Sequence, residues 1–254
     1  MRLYISFSLL VVSLYSFAED KKTVQITSGE YMPWSSETAK HEGFAHHIIR
    51  EAFKRNGYSS IFLFHPWARS YKEGASGKYH AAAHWTCTPK RAKIFHCSEP
   101  IYEEDYVFFH FKLRPVQWET LDDLNQYRIG ATRGYAYSAE FWKAHKTGRL
   151  NIIVNNSDEI NFNMLFKKRI DIFPMGSVSG YSFLLQKYSN TQVQTLTYNS
   201  KPLITYTNHL LFPKKRADAQ QLLKTFNAGL KSMRDDGTYE KYYDLLLEGY
   251  YDQP

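Results

Sequence analysis

The chain has 254 residues, 43% of them hydrophobic, and a formal charge of +7 at pH 7, enough apolar material for one large globular domain or two lobes of ordinary size. Its positive excess is spread along the sequence, in Lys167-Lys168-Arg169 and Lys214-Lys215-Arg216 for example, rather than gathered into an arm, so nucleic acid is not an expected partner. The two cysteines, Cys87 and Cys97, come without a second pair of matching ligands; this makes a poor zinc site, and neither a metal nor a cofactor is expected.

At the N-terminus, Met1-Arg2 is a minimal positive start, residues 3–17 are an apolar run, and Ser16 and Ala18 supply the small residues of a signal-peptidase site. A signal peptide over residues 1–18 is expected, cleaved after Ala18. The apolar run, about fifteen residues, falls short of the roughly 20 that cross a bilayer as a helix. No cysteine follows it for lipid attachment, so the product is expected to be a free periplasmic protein and a monomer.

Residues 24–28 are a β-type run, followed by a loop containing Pro33. Over residues 43–57, Phe44, Ile48, Ile49, Ala52 and Phe53 recur at helical spacing, with Arg50, Glu51, Lys54 and Arg55 opposite and Gly57 closing the helix. Residues 61–64 read as a strand, Pro66 starts a helix, and residues 79–85 read as a third strand. After that strand, Thr88 is a good helix N-cap and Pro89 a good first residue, which leaves free N–H groups that attract anions. Arg91 adds a planar fork of donors matching a carboxylate; the plainer alternative pairs it with Glu99 or Glu103 at the surface. Cys87 and Cys97 flank this turn and are expected to join in an oxidising periplasm, two buried free thiols being the alternative.

A second series begins after Leu113-Arg114-Pro115. Helix is expected at 121–125, strand at 128–132, helix at 138–145, strand at 151–154, helix at 157–168 and strand at 170–173. A helix at 177–187 and a strand at 193–196 follow. An extended stretch over 203–212 then leads into helices at 216–234 and 238–247. The alternation argues for mostly parallel sheets covered by helices. Two α/β units without a flexible linker suit two lobes joined by extended crossings, with the cleft between them as the default site.

In order and spacing these segments resemble family 3 of the bacterial extracellular solute-binding proteins, the receptors of polar amino-acid ABC transporters. The resemblance runs from Gly43-Phe44 through Gly77-Lys78-Tyr79-His80, the threonine-rich segment with Arg91, and Phe95 to Tyr102. It continues through Thr120-Leu121-Asp122-Asp123-Leu124, Ile129-Gly130, Arg133-Gly134 and Arg169-Ile170-Asp171 to Arg234-Asp235-Asp236-Gly237-Thr238-Tyr239. Pro66-Trp67-Ala68-Arg69 further resembles a proteobacterial branch. The family implies a two-lobed α/β fold of the type II periplasmic-binding class. Lobe 1 would take residues 19–104 and 209–254, and lobe 2 residues 105–208, with two extended hinge crossings. It also implies capture of a small carboxylate-bearing solute, an amino acid or related compound, for delivery to an ABC-transporter permease. By the same resemblance Arg91 holds the ligand α-carboxylate, helped by Thr86. Arg133, Gly134 and Tyr135 contribute from the other lobe, and Tyr31 and Trp67 line the pocket with Trp34 beside them. Arg69 either adds a second cation or solvates a helix face.

One departure stands out. The family usually places an aspartate for the ligand ammonium just beyond the strand matching residues 170–173, where this chain reads Pro174-Met175-Gly176-Ser177, and Ser28 stands where another ligand-binding acid is often found. Asp171 is read as structural, and only Glu30 offers a substitute. His41, His46, His47, His80, His84 and His96 are read as packed or solvated; His80 and His84 would lie roughly 13 Å apart along a strand. No catalytic residue is assigned. The alternatives are a periplasmic dehydratase acting on prephenate or arogenate, with Arg69, Arg91 and Arg133 facing an anion and only Glu30 or His84 as acid, and a stand-alone sensory module.

Overall fold

β1 (Lys22–Ser28) opens the chain of the computed structural model, which describes residues 22–135 and 137–252; the expected signal peptide lies outside them. β1 pairs in parallel with β2 (Tyr58–Phe64) from Lys22 opposite Tyr58 to Ser28 opposite Phe64, and on its other side with β3 (Ala81–Trp85). The crossovers are α1 (Phe44–Lys54) and α2 (Trp67–Ser76). α1 buries Phe44, Ile48, Ile49, Ala52 and Phe53, the residues whose 3.6-residue spacing marks it in the sequence. A short turn of helix, α3 (Pro89–Ala92), then leads into β4 (Phe95–Cys97) and β5 (Tyr102–Phe111).

In the second unit a 3-10 turn at Leu121–Leu124 precedes β6 (Arg128–Thr132), α4 (Ala139–Lys146), β7 (Asn151–Asn155) and α5 (Asp158–Phe166). Ser138 and Ser157 cap the two helices, each accepting from the third residue onward, as serine at an N-cap does. β8 (Phe173–Gly176), α6 (Ser177–Lys187), α7 (Asn190–Val193) and β9 (Leu196–Tyr198) complete the unit. β10 (Ile204–Pro213) returns to the first sheet and is followed by α8 (Ala219–Asp235) and α9 (Thr238–Leu247). Gly229 lets α8 lie directly on α1, because a Cβ there would stand 1.9 Å from the Ala52 carbonyl oxygen.

β5 and β10 are the two crossings. They pair antiparallel from Tyr102 opposite Asn208 to Tyr106 opposite Ile204, and beyond that segment β10 pairs with β3 and β4 while β5 pairs with β8 and β9. Side chains along β5 alternate between two cores: Val107 and Phe109 pack with Phe162, Leu165 and Phe173, and Phe108 packs with Trp118, Ile129 and Phe141. A third core joins α1, α8 and the first sheet through Phe44, Phe53, Phe212 and Phe226.

The structure corrects four expectations. The second unit is not one mostly parallel sheet: β6 and β7 pair in parallel as a two-stranded sheet, while β8 and β9 run antiparallel to β5, in the sheet that continues through β10 into the first unit. The strand expected at 170–173 begins at Phe173, only Ile172 before it bridging to Ile129. The strand expected at 193–196 starts at Leu196, because Ser189 and Gln192 form a capping box that winds Asn190–Val193 into helix. β5 has no counterpart among the expected elements.

Candidate functional site

A cavity of about 270 Å3 lies where the ends of the two units meet the crossings. Its first wall is built by the turn after β3. The Thr88 hydroxyl accepts from the Arg91 N–H at 3.3 Å, and Pro89 occupies the first helical position, so the sequence cap forms as chemistry requires. The Arg91 side chain folds back, its Nη1 donating to the Thr86 carbonyl at 2.8 Å, and its guanidinium lies over the rings of Trp85 at 4.7 Å and Tyr71 at 5.6 Å. It has no carboxylate partner among the described residues; the surface pairing with Glu99 or Glu103 does not form. Burial pushes its pKa down from the ordinary arginine value. The Cys87–Cys97 disulfide spans the turn with Cα atoms 6.1 Å apart, within the range a disulfide bridges.

β3 reaches this wall through a bulge. Between its pairings at Ala82–Leu211 and Trp85–His209 it carries one more residue than β10, and His84 takes the left-handed backbone, φ 65°. The extra residue breaks the two-residue alternation, so consecutive His84 and Trp85 both face the cavity. Burial holds the His84 imidazole down, to about 3, so it is neutral at ordinary pH, and its Nε2 has no protein partner.

The crossings form the floor. Strand alternation sets Tyr102, Glu104 and Tyr106 on one side of β5. The Glu104 side chain accepts from the Tyr31 hydroxyl at 2.8 Å and from the Ser179 N–H at 2.9 Å, and the Tyr31 and Tyr106 hydroxyls meet at 2.9 Å. Burial first, and the Glu104 charge second, raise both tyrosine pKa values, which keeps the hydroxyls protonated. Burial raises the Glu104 pKa, with its hydrogen bonds opposing. The far wall comes from Gly134 and Tyr135 after β6, with Tyr206 and Asn208 of β10. Tyr135 and Thr132 both donate to Asp158, each at 2.5 Å, so that half-buried acid is engaged by its own unit.

Six of the residues singled out in the sequence line this cavity: Tyr31, Trp67, Thr86, Arg91, Gly134 and Tyr135. Three do not. Trp34 is fully buried and stacks on Tyr102 at 3.9 Å, its large apolar surface drawn into the core under Phe44. Arg69 is exposed and bonds Glu73 one helical turn on, at 2.9 Å. Arg133 bonds Asn156 at 3.1 Å and borders a separate hollow with Trp142 and His145. Glu30 also stays outside, accepting from the Glu37 N–H, and Ser28 is spent on His46 at 2.9 Å. Asp171 is structural, as expected, held by Arg128 at 2.8 Å. Among the described residues no group of three or more His, Cys, Asp or Glu could hold a metal ion.

Trp85, Glu104, Tyr106, Tyr206 and Asn208 are the wall residues that sequence reasoning missed. The signal was present: Tyr102, Glu104 and Tyr106 recur at strand period immediately before the apolar run Val107-Phe108-Phe109.

Residues 24–247 match the family of bacterial extracellular solute-binding proteins, family 3. The chain is 24% identical over 259 aligned positions to the lysine/arginine/ornithine-binding periplasmic protein of Escherichia coli (strain K12), an alignment covering 96% of this chain and 98% of the relative. Among solved structures it is similar to a histidine kinase sensor domain with similarity to periplasmic binding proteins, at a TM-score of 0.69 and 17% identity over 89% of this chain and 96% of the other. It is likewise similar to an ancestral amino-acid-binding protein, a precursor of cyclohexadienyl dehydratase, at a TM-score of 0.65 and 19% identity over 87% of this chain and 93% of that one.

Proposed function

Because the chain belongs to family 3 of the bacterial extracellular solute-binding proteins, we propose that it captures a small carboxylate-bearing solute in the periplasm and delivers it to an ABC-transporter permease. The lobes on this reading are residues 19–104 with 209–254, and 105–208, and the solute sits between them. The observation that carries the reading is Arg91: a half-buried guanidinium on the cavity wall whose hydrogen bond goes to a carbonyl and not to an acid. A fork of donors without a counter-ion favours an incoming carboxylate, and the Thr86 carbonyl bond and the disulfide across the turn hold it in place beforehand. The test is thermal-shift screening with amino acids, dicarboxylates, opines and aromatic acids; a solute at 100 times its Kd stabilises by about 2.7 kcal/mol. A protein whose melting temperature responds to no carboxylate at millimolar concentration contradicts the proposal.

A second reading, elimination of water from an anionic substrate, draws on one observation: Glu104 is a buried acid on the cavity wall with a raised pKa, the property of a general acid. His84, neutral in its pocket, cannot take that part. Incubation with prephenate followed by ultraviolet absorbance separates the two readings.

A further inference from the structure

Leu113 is 95% exposed, against 64% for Leu247 and 53% for Leu185, and it stands at the end of the second unit away from the cavity. β5 runs from Tyr106 on the cavity wall to Phe111, about 17 Å at the rise of a strand. There the chain turns, the Arg114 N–H donating to the Phe111 carbonyl at 2.9 Å. The turn holds Leu113 out between Lys112 and Arg114, both exposed. A leucine left in water at this tip contributes nothing to the core, and its transfer into an apolar phase is favourable.

The fold gathers at the same tip cations that lie far apart in the chain. α5 ends at Phe166 and runs into the exposed Lys167, Lys168 and Arg169. Lys168 lines one hollow together with Phe111, Lys112, Leu113 and Arg114. Among the described residues none of these five cations forms an ion pair. Elsewhere on the surface Arg55 reaches Asp236, Arg149 reaches Asp122 and Glu140, and Lys201 reaches Glu119. The segments that meet at the tip supply almost no acid: residues 106–118, 160–170 and 172–217 contain neither Asp nor Glu. Asp171, between the last two, is held by Arg128 at 2.8 Å, whose hydrogen bonds lower its pKa with a smaller share from the Arg114 charge. The tip is therefore a positive field around one projecting apolar side chain.

Its chemistry says what covers it. Protein interfaces are built on aromatic and arginine anchors and are depleted in lysine, whereas this tip sets three lysines around a single leucine. A bilayer surface needs only an apolar side chain that enters the interface and long cations whose heads stay at the level of the phosphates. We propose that the Leu113 tip is a contact for anionic phospholipid bilayers, with Leu113 entering the interface and Lys112, Arg114, Lys167, Lys168 and Arg169 meeting the headgroups. One leucine and a handful of cations hold a protein at a surface reversibly and do not anchor it. The contact is independent of the solute assignment, because no residue of the tip lines the cavity.

The experiment is sedimentation of the exported protein with vesicles of equal parts phosphatidylglycerol and phosphatidylcholine, and with vesicles of phosphatidylcholine alone. The wild type binds the anionic vesicles, ignores the neutral ones and is released as salt screens the charges. Each cation at an anionic surface is worth roughly fivefold in partitioning, so Lys112→Gln, Arg114→Gln and Lys168→Gln together weaken binding by about a hundredfold. Leu113→Asn weakens it by at least about threefold. A control of equal net charge, Lys215→Gln with Lys224→Gln and Lys241→Gln on the first unit, keeps most of the binding. Failure of the wild type to bind anionic vesicles at low salt overturns the proposal, as does equal binding to neutral ones. An equal loss in the control traces the attraction to net charge alone and overturns it too. A wild type that ignores both vesicles, yet is retained by native membranes through Lys112, Arg114 and Lys168, assigns the tip to a protein partner and rejects the lipid contact.

Discussion

Removing the Arg91 side chain should separate binding from folding. In the free protein Arg91→Ala loses one charge-assisted hydrogen bond, to the Thr86 carbonyl at 2.8 Å, worth about 1.5–3 kcal/mol. It also loses two ring contacts, with Trp85 and Tyr71, of about 0.5–1 kcal/mol each. Against these stands relief of a half-buried cation with no counter-ion, whose desolvation is of comparable size. The balance falls within about 1 kcal/mol, which in a chain of this length moves the melting temperature by roughly 2–4 °C. With ligand bound, the same truncation strands a buried carboxylate and costs about 2–5 kcal/mol, a loss of roughly 30- to 4,000-fold in affinity. Arg91→Lys keeps the charge, loses the two-pronged geometry and falls between. Calorimetric titration with whichever solute the screen yields, beside melting curves without ligand, reads both quantities. Unchanged affinity in Arg91→Ala would show that the solute lies elsewhere, and a collapse of the unliganded melting temperature would make Arg91 a structural residue.

Gly229→Ala should destabilise the fold by up to about 2 kcal/mol in urea denaturation. Alanine gains about 1 kcal/mol of helix propensity, but a Cβ 1.9 Å from the Ala52 oxygen forces α1 and α8 apart at an overpacking cost of 1–3 kcal/mol or more; a more stable variant would contradict the close approach. Replacing Cys87 and Cys97 together by serine opens a loop closed across ten positions and should cost about 2.7 kcal/mol in the chain-entropy model, measured by guanidinium denaturation, with loss of ligand affinity as the turn loosens. Acid should destabilise the protein early: burial holds His47 and His84 down to about 3 and His46 well below its usual value. The unfolded chain therefore takes up protons near pH 6.5 that the folded one refuses. That stability is complete above pH 6.5 and is lost as pH falls toward 3, at up to about 1.4 kcal/mol per unit for the buried His46 and His84 and less for the partly exposed His47, which solvent screens. Glu104, raised by burial, works the other way: its share is present below the ordinary glutamate pKa and lost as pH rises through the folded value. Melting curves between pH 7 and 5 should fall by several degrees, less in His84→Gln, and a flat profile would refute the assignment.

The parts of the fold that could be read from sequence are those where one residue pattern has one physical outcome. α1 follows from the spacing of Phe44, Ile48, Ile49, Ala52 and Phe53, and the Arg91 turn from Thr88 and Pro89. The wall residue Arg91 came with that turn, while Thr86 beside it came only with the family resemblance. What escaped depends on contacts between distant segments. β5 carries Glu103, Glu104 and Asp105, a charge run that reads as a solvated loop until β10 pairs with it. Glu104 then faces Tyr31, 73 positions away, and Ser179, 75 positions away. Trp34 was misplaced for a related reason. Its neighbours in sequence belong to the cavity loop, while its partner Tyr102 arrives from β5. Arg69 and Arg133 carry charges that suit an anion, yet each finds a polar neighbour within its own unit.

The pairing of β5 with β10 has a mechanical side. Two separate connectors would let the units swivel, slide and bend about several axes. Here the connectors are hydrogen-bonded to each other across Tyr102–Asn208 and Tyr106–Ile204, with a side-chain clasp between Thr205 and Asp105 at 2.6 Å. They form one two-stranded ribbon rather than two independent tethers. On the proposed reading, in which the two units close on a solute, that ribbon resists swivelling and sliding and leaves flexing as the easy motion, so its stiffness is set by residues such as Thr205 that need never touch the solute. A substitution there should then alter how fast the units close without altering what the cavity selects.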